Sequence, residues 1–166
     1  MKQHNIFVTD QDMERLRHLL NSARRPLSKD QEHVEMLEEE LDRAQIVSPS
    51  QVPEDVVTMN SRVRVKDVET NEDKTYTLVF PRDADFAQGK ISVLAPIGTA
   101  ILGYREGDVI EWRVPGGRRK LRVEEVMYQP EVAGPGSLRN GGREGEGPSP
   151  RYAQRPTYPR AAYRAV

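Results

Sequence analysis

The sequence predicts an α+β protein with an N-terminal antiparallel helical hairpin, a curved antiparallel β-sheet with one short helix, and a disordered tail. Three observations lead to this prediction. Apolar residues recur every three or four positions between residues 13 and 44, alternate with polar residues between 62 and 128, and become sparse after residue 132. We therefore expect a helical hairpin at 1–50, a sheet domain at 51–132 and a tail at 133–166.

Two helices are predicted in the first part from capping residues and apolar stripes. Thr9, with Asp12 three residues later, is typical of a capping box. Ser28 and Gln31 repeat that spacing after the break at Pro26. The stripe residues are Met13, Leu16, Leu20 and Ala23, then Val34, Leu37, Leu41 and Ala44. Each helix can bury its stripe by folding back on the other, in a short coiled coil with arms on the order of 22 Å long.

The segment 45–58 is interpreted as a linker without an element of its own. Pro49 and Pro53 interrupt it. Its aliphatic residues are expected to anchor it onto the following sheet, and these are Ile46, Val47, Val52, Val56 and Val57.

Alternating apolar residues predict four to five strands between residues 59 and 128. Asn71 indicates a turn, and Pro81 ends the strand that follows it, because proline cannot donate to a central ladder. The apolar parity changes at Glu124-Glu125, which indicates a β-bulge. Expected core residues include Val63, Val65, Tyr76, Leu78, Phe80, Phe86, Ile91, Val93, Ile110, Trp112, Leu121 and Val123.

A short helix is predicted between Ile91 and Gly103. Pro96 suits the first helical turn, where a missing N–H costs little, and Gly103 suits the left-handed position after the last turn. Neither this segment nor the stretch Glu106–Gly117 contains a catalytic group. We interpret both as scaffold and as a surface for docking on a partner.

Composition argues against several classes of function. The chain has no cysteine, which excludes disulfides and thiolate sites, and its net charge of -1 gives no overall attraction to nucleic acid. His4, His18 and His33 lack metal-ligand pairings, and no phosphate loop or nucleophile elbow is present. We expect a monomer in the cytoplasm that is not an enzyme, binds no metal or cofactor, and does not enter a membrane.

Several stretches together resemble the GreA/GreB family of transcription elongation factors, in particular its smaller branch of nucleoside diphosphate kinase regulators (Rnk). They are Pro53–Ser61, Ile91–Gly103, Glu106–Val109, Pro115–Gly117 and Leu121–Pro130, and the resemblance spans roughly residues 5–132. It implies an FKBP-like sheet domain. Ala95 departs from the Gre pattern, which usually has serine before the proline, so a local hydroxyl hydrogen bond should be absent while the helix survives.

The resemblance also implies binding to bacterial RNA polymerase at the rim of the secondary channel. The proline-led helix is expected to dock, which here corresponds to Pro96, Ile97, Ala100 and Ile101. Core packing is the alternative for these residues, and it competes most strongly for Ile97 and Ile101.

The predicted hairpin tip differs from what transcript cleavage needs. Gre factors present carboxylates to the polymerase Mg²⁺, since hard cations prefer oxygen ligands. Here Arg24, Arg25 and Lys29 surround the turn, with Asp30 just after it, and the arm is shorter than a Gre coiled coil. We therefore expect polymerase binding without stimulated cleavage.

Two alternatives remain open from the sequence. The family name suggests regulation of nucleoside diphosphate kinase, by level or by direct contact. The tail interleaves Tyr152, Tyr158 and Tyr163 with arginines, a pattern that could give a weak contact with single-stranded nucleic acid. A solvated tail without a specific ligand is the simpler interpretation.

Overall fold

A computed structural model describes residues 6–24, 31–114 and 117–133. The predicted tip residues Arg25, Lys29 and Asp30 lie outside the described residues, as do Ser28 and almost all of the predicted tail. Within the described ranges, a helical hairpin precedes a five-stranded sheet with a short helix, which confirms the predicted fold class.

The hairpin consists of α1 (Asp10–Ala23) and α2 (Gln31–Asp42). The hydroxyl of Thr9 accepts a hydrogen bond of 3.0 Å from the backbone N–H of Asp12, as the capping pattern predicts. The two predicted stripes are confirmed, because six of their residues are buried and two alanines are partly buried. The buried residues are Met13, Leu16, Leu20, Val34, Leu37 and Leu41, and the alanines are Ala23 and Ala44.

Two short strands flank the hairpin, which corrects the interpretation of 45–58 as a linker without structure. Strand β1 (Phe7–Thr9) pairs in parallel with β2 (Gln45–Val47), since the hairpin returns the chain to its starting point. Three residues are too few to show a strand periodicity. Ile46 is 52% exposed and is not an anchor, whereas Val52, Val56 and Val57 are buried as expected.

The main sheet has five strands in the order β5-β4-β3-β7-β6. They are β3 (Arg62–Asp67), β4 (Asp73–Val79), β5 (Lys90–Ser92), β6 (Val109–Val114) and β7 (Gly117–Tyr128). The sheet is mixed rather than wholly antiparallel, because β5 pairs in parallel with β4. The connection between β4 and β5 contains two 3-10 turns, Pro81–Asp83 and Phe86–Gln88. It returns the chain along the sheet, so that β5 runs in the same direction as β4.

Local turn predictions agree with the backbone. Asn71 adopts a φ of 57° in the β3–β4 turn. The register between β3 and β7 passes from Glu125 to Val123 and skips Glu124, which is the predicted bulge. Phe86 was expected in the core but is 81% exposed, since it lies in the connection before β5.

The hairpin and the sheet share one hydrophobic core. Helix α3 (Pro96–Ile101) lies between them, and α4 (Pro130–Ala133) follows β7. Gly103 has a φ of 76°, as predicted for a residue after a helix, and a Cβ there would lie 2.5 Å from Cβ of Ile6. This close approach ties the start of the chain to the end of α3. Within the described part of the chain, no helix is long and apolar enough to cross a membrane.

Candidate functional site

The start of α3 is held against the end of β5 by short polar contacts. The Thr99 hydroxyl donates a hydrogen bond of 2.6 Å to the carbonyl of Val93, and the Thr99 N–H donates to the carbonyl of Ala95. Ala95 occupies the N-cap with extended backbone angles and no side-chain hydrogen bond. The helix therefore forms without the serine hydroxyl, as expected from the sequence.

The four predicted docking residues do not share one environment. Pro96, Ile97 and Ala100 are partly exposed, so each can contribute to a surface, although Ile97 and Ala100 also pack against the hydrophobic core. Ile101 is fully buried and belongs to the core. The first three residues, together with the cavity beside them, form what we call the docking face.

A pocket of about 310 Å³ opens beside Ile97 on the sheet. We call it the sheet pocket, and most of its wall is apolar or aromatic. The residues in that wall are Val65, Tyr76, Phe86, Ile97, Trp112 and Leu121. An exposed aromatic ring next to such a pocket is typical of a protein-binding surface rather than of a core. The exposed Phe86 was missed as a surface residue because alternation alone cannot show that a turn carries it away from the core.

Charged side chains also line the sheet pocket. Arg119 donates a hydrogen bond of 3.0 Å to Oδ2 of Asp67, while the backbone N–H groups of Glu69 and Thr70 donate to its Oδ1. Desolvation opposes ionisation of Asp67, but the bonds from Thr70, Arg119 and Glu69 outweigh it and lower the pKa of this carboxyl. Asp67 therefore remains ionised and holds Arg119 at the pocket.

Arg24, the last described residue before the hairpin tip, is paired with a carboxylate. Arg24 is exposed and forms an ion pair with Glu38 of α2. This contact links the end of α1 to the middle of α2. Because its guanidinium is already paired with Glu38, Arg24 is less available to bind an anion of another molecule.

A buried polar joint fixes the base of the hairpin to the sheet domain. Asp12 of α1 is buried, and the backbone N–H of Met59 hydrogen-bonds to it. Glu131 of α4 accepts a hydrogen bond of 2.7 Å from the Thr58 hydroxyl. Burial and the nearby Glu131 raise the pKa of Asp12 to about 6, and burial also raises the pKa of Glu131. No pattern in the sequence predicts that residues of α1, of the segment before β3 and of α4 contact one another here.

The described residues offer little for metal chemistry. Among residues 6–24, 31–114 and 117–133, no group of three His, Asp or Glu side chains is placed to hold a metal ion. The arrangement that stands out is instead the docking face, which includes the sheet pocket.

Two family models match the chain in succession. The N-terminal model of the Rnk family matches residues 4–47, and the model for the C-terminal part of the transcription elongation factors GreA and GreB matches residues 52–128.

Individual relatives agree with these matches. The chain is 43% identical to the regulator of nucleoside diphosphate kinase of Escherichia coli K12, over 81% of this chain and 97% of that protein. It is 33% identical to the transcription elongation factor GreA of Bartonella henselae, over 65% of this chain and 69% of that protein. These relatives are named as a regulator and as an elongation factor.

A solved structure shows a similar fold. The GreA/GreB elongation factor from Nitrosomonas europaea superimposes with a TM-score of 0.62 at 42% identity, covering 76% of this chain and all of that one.

Proposed function

Because this chain belongs to the family of nucleoside diphosphate kinase regulators (Rnk) within the GreA/GreB superfamily, we propose that it is a transcription regulator that binds bacterial RNA polymerase at the secondary channel without stimulating transcript cleavage. The observation that carries this proposal is the docking face, where a proline-led helix lies beside an apolar pocket. Pro96, Ile97 and Ala100 supply the helix surface, and the exposed ring of Phe86 extends it.

The size and composition of this face support a protein partner. Apolar and aromatic side chains supply most of the pocket lining, and Asp67, Lys74 and Arg119 also line it. Such a mainly apolar and aromatic lining is common at protein interfaces. Ile101 contributes by supporting α3 from the core rather than by direct contact.

The dimensions of the hairpin support the absence of cleavage stimulation. Helix α1 has 14 residues and α2 has 12, so the arms are about 21 and 18 Å long. Oxygen ligands lie about 2.1 Å from Mg²⁺, so an arm that is a few turns too short places no carboxylate at the polymerase Mg²⁺.

A backtracked elongation complex with labelled RNA tests this proposal. We expect the purified protein to leave the RNA at its intrinsic rate of shortening, and to slow the cleavage that GreA stimulates when both are present. GreA alone is the positive control. RNA shortening that depends on Asp30 or Glu32 would contradict the proposal.

Direct regulation of nucleoside diphosphate kinase is the second candidate, because the relative that is 43% identical carries that name. Titration of the purified kinase with this protein in a calorimeter distinguishes the two candidates. Saturable binding to the isolated kinase, together with no binding to polymerase, would favour the second.

A further inference from the structure

Arg119 lines the sheet pocket and keeps part of its hydrogen-bonding capacity open. Its Nη1 donates a hydrogen bond of 3.0 Å to Oδ2 of Asp67, which is the one bond that the guanidinium forms within the described part of the chain. A guanidinium carries five N–H donors. Because the Arg119 side chain is 46% exposed, its remaining donors are accessible to an acceptor on another molecule.

Asp67 fixes this guanidinium at the pocket. The Asp67 side chain is only 8% exposed. Its second oxygen, Oδ1, accepts hydrogen bonds from the backbone N–H groups of Glu69 and Thr70 in the turn after β3. Since the carboxylate is held at both oxygens, Arg119 loses little freedom when it binds a ligand, and such a pre-organised donor binds with a smaller entropic cost.

The charged side chains that line the sheet pocket balance one another. Asp67 offsets Arg119, and the Glu72 carboxylate lies 3.9 Å from the Lys74 ammonium. A carboxylate ligand that approached Arg119 would also come close to the negative charge of Asp67, so attraction and repulsion would largely cancel. A neutral oxygen can accept an N–H of Arg119 without this repulsion. The pocket therefore favours an uncharged acceptor.

We propose that the sheet pocket binds an uncharged peptide segment of the polymerase, with an apolar side chain in the pocket and a backbone carbonyl that accepts a hydrogen bond from Arg119. The inference rests on the proposed function, since it takes the polymerase as the source of the segment. Ile97, Trp112 and the exposed ring of Phe86 supply apolar contacts for the side chain. A volume of about 310 Å³ is at the small end of ligand sites, which suits one residue with its peptide groups.

Two small probes that share one side chain test the ligand chemistry in the full-length protein. N-acetyl-leucine methylamide is uncharged, whereas N-acetyl-leucine ends in a carboxylate. Trp112 is the single tryptophan of the chain and lines the pocket, so its fluorescence reports occupancy. We expect the methylamide to bind at least about threefold more tightly than the acid. Tighter binding of the acid would contradict the preference for an uncharged acceptor.

Two adjacent arginines provide a matched pair of variants. Arg119→Met retains much of the aliphatic stem but removes the donors, so we expect the methylamide to bind roughly tenfold more weakly. Arg118→Met is the control, because Arg118 pairs with Glu111 and does not line the sheet pocket. Its affinity for the probe should equal that of the wild type. Thermal unfolding checks that both variants fold.

Asp67→Asn separates contact with the ligand from support of the fold. The asparagine oxygen can still accept the N–H groups of Glu69 and Thr70, while the pocket gains one positive charge. We therefore expect the preference to reverse, so that N-acetyl-leucine binds more tightly than its methylamide. An unchanged preference, or an equal loss of affinity for both probes, would indicate that the Asp67–Arg119 pair only supports the fold and would contradict the inference.

Binding of core RNA polymerase then distinguishes this inference from the function on which it rests. We expect Arg119→Met to bind polymerase roughly tenfold more weakly and Arg118→Met to bind as the wild type does. If folded Arg119→Met binds polymerase with wild-type affinity, the inference is wrong and the docking proposal stands. If the wild type binds the methylamide but not polymerase, the proposed function fails and the polymerase is not the source of the segment.

Discussion

Gly98 lies so close to Ser92 that a Cβ at residue 98 would be 2.0 Å from the Ser92 carbonyl oxygen. This contact sets the first turn of α3 directly on the end of β5, with Val93 also within 3.1 Å of the same point. The docking face depends on this approach, because Ile97 is presented from the same helical turn.

Substitution of Gly98 by alanine is expected to destabilise the fold and displace α3. The added methyl group meets backbone atoms, which cannot rotate away, so the free energy of unfolding should fall by roughly 3 kcal/mol. Chemical denaturation measures the effect. Ala100→Gly in the same helix is the control, with an expected loss of about 1 kcal/mol from helix propensity alone. Equal stability of Gly98→Ala and the wild type would contradict the packing described for α3.

Substitution of Ala95 by serine should stabilise the protein. Ala95 already has the extended backbone of an N-cap, with φ of -68° and ψ of 144°, but it has no side-chain oxygen. A serine hydroxyl can accept from the first turn of α3, so we expect a gain of about 0.5–1 kcal/mol with unchanged polymerase binding. Thermal denaturation provides the measurement, and a loss of stability would show that the N-cap lacks room for the hydroxyl.

The buried carboxyl of Asp12 predicts a dependence of stability on pH. Its pKa of about 6 in the folded protein, against an ordinary 3.8, means that the folded state binds the proton more tightly. Binding of this proton therefore adds its full contribution to the free energy of unfolding below pH 3.8. That contribution is lost as the pH rises through 6. Between pH 4.5 and 7.5 the wild type should therefore lose about 2 kcal/mol relative to Asp12→Asn.

Denaturant titrations of both proteins across this range measure that difference. Glu131 of α4 and Arg15 of α1 are the charged groups that act on Asp12, so both remain in place in the comparison. Asp10→Asn removes a carboxylate from the exposed start of the same helix and serves as the control. If the free energies of unfolding of Asp12→Asn and the wild type differ by the same amount at all pH values, the raised pKa of Asp12 is contradicted.

Gln129 holds the loop before β3 through two hydrogen bonds. Its Nε2 donates to the carbonyls of Pro53 and Val56, each at 2.8 Å, and the residue is completely buried. Gln129→Glu replaces the donor by an oxygen that faces both carbonyls, so we expect a loss of at least about 3 kcal/mol at pH 7. Gln45→Glu at an exposed position of β2 should change stability little. If Gln129→Glu and Gln45→Glu unfold at similar urea concentrations, the hydrogen bonds of Gln129 do not stabilise the loop before β3.

Patterns of local sequence predicted much of the fold. The two apolar stripes of the hairpin, the turn at Asn71 and the bulge at Glu124 depend on periodicity or on single backbone angles, which the sequence displays directly. The parallel pairing of β5 depends on the path of the preceding connection, and that path leaves no periodic signal.

The candidate site was predictable only in part. Pro96 and Ile97 were identified from the proline-led helix, but the burial of Ile101 depends on which side of a six-residue helix meets the core. The sheet pocket brings together residues from β3, β4, β6, β7 and α3, so it exists only after the sheet has formed. The joint between Asp12 and Glu131 brings together residues that are far apart in the sequence, so it too exists only in the folded chain.

The affinity for core RNA polymerase of two matched isoleucine variants tests the docking proposal most directly. Because the chain has no cysteine, Ser50→Cys provides a unique position for a fluorescent label on an exposed 3-10 turn. Ile97→Asp places a charge on the docking face, whereas Ile46→Asp places one on an exposed strand that does not line the sheet pocket. Fluorescence anisotropy should show binding of the labelled protein, at least about tenfold weaker for Ile97→Asp and unchanged for Ile46→Asp. No binding of the labelled protein, or equal affinities of both aspartate variants, would contradict docking through α3 and the sheet pocket.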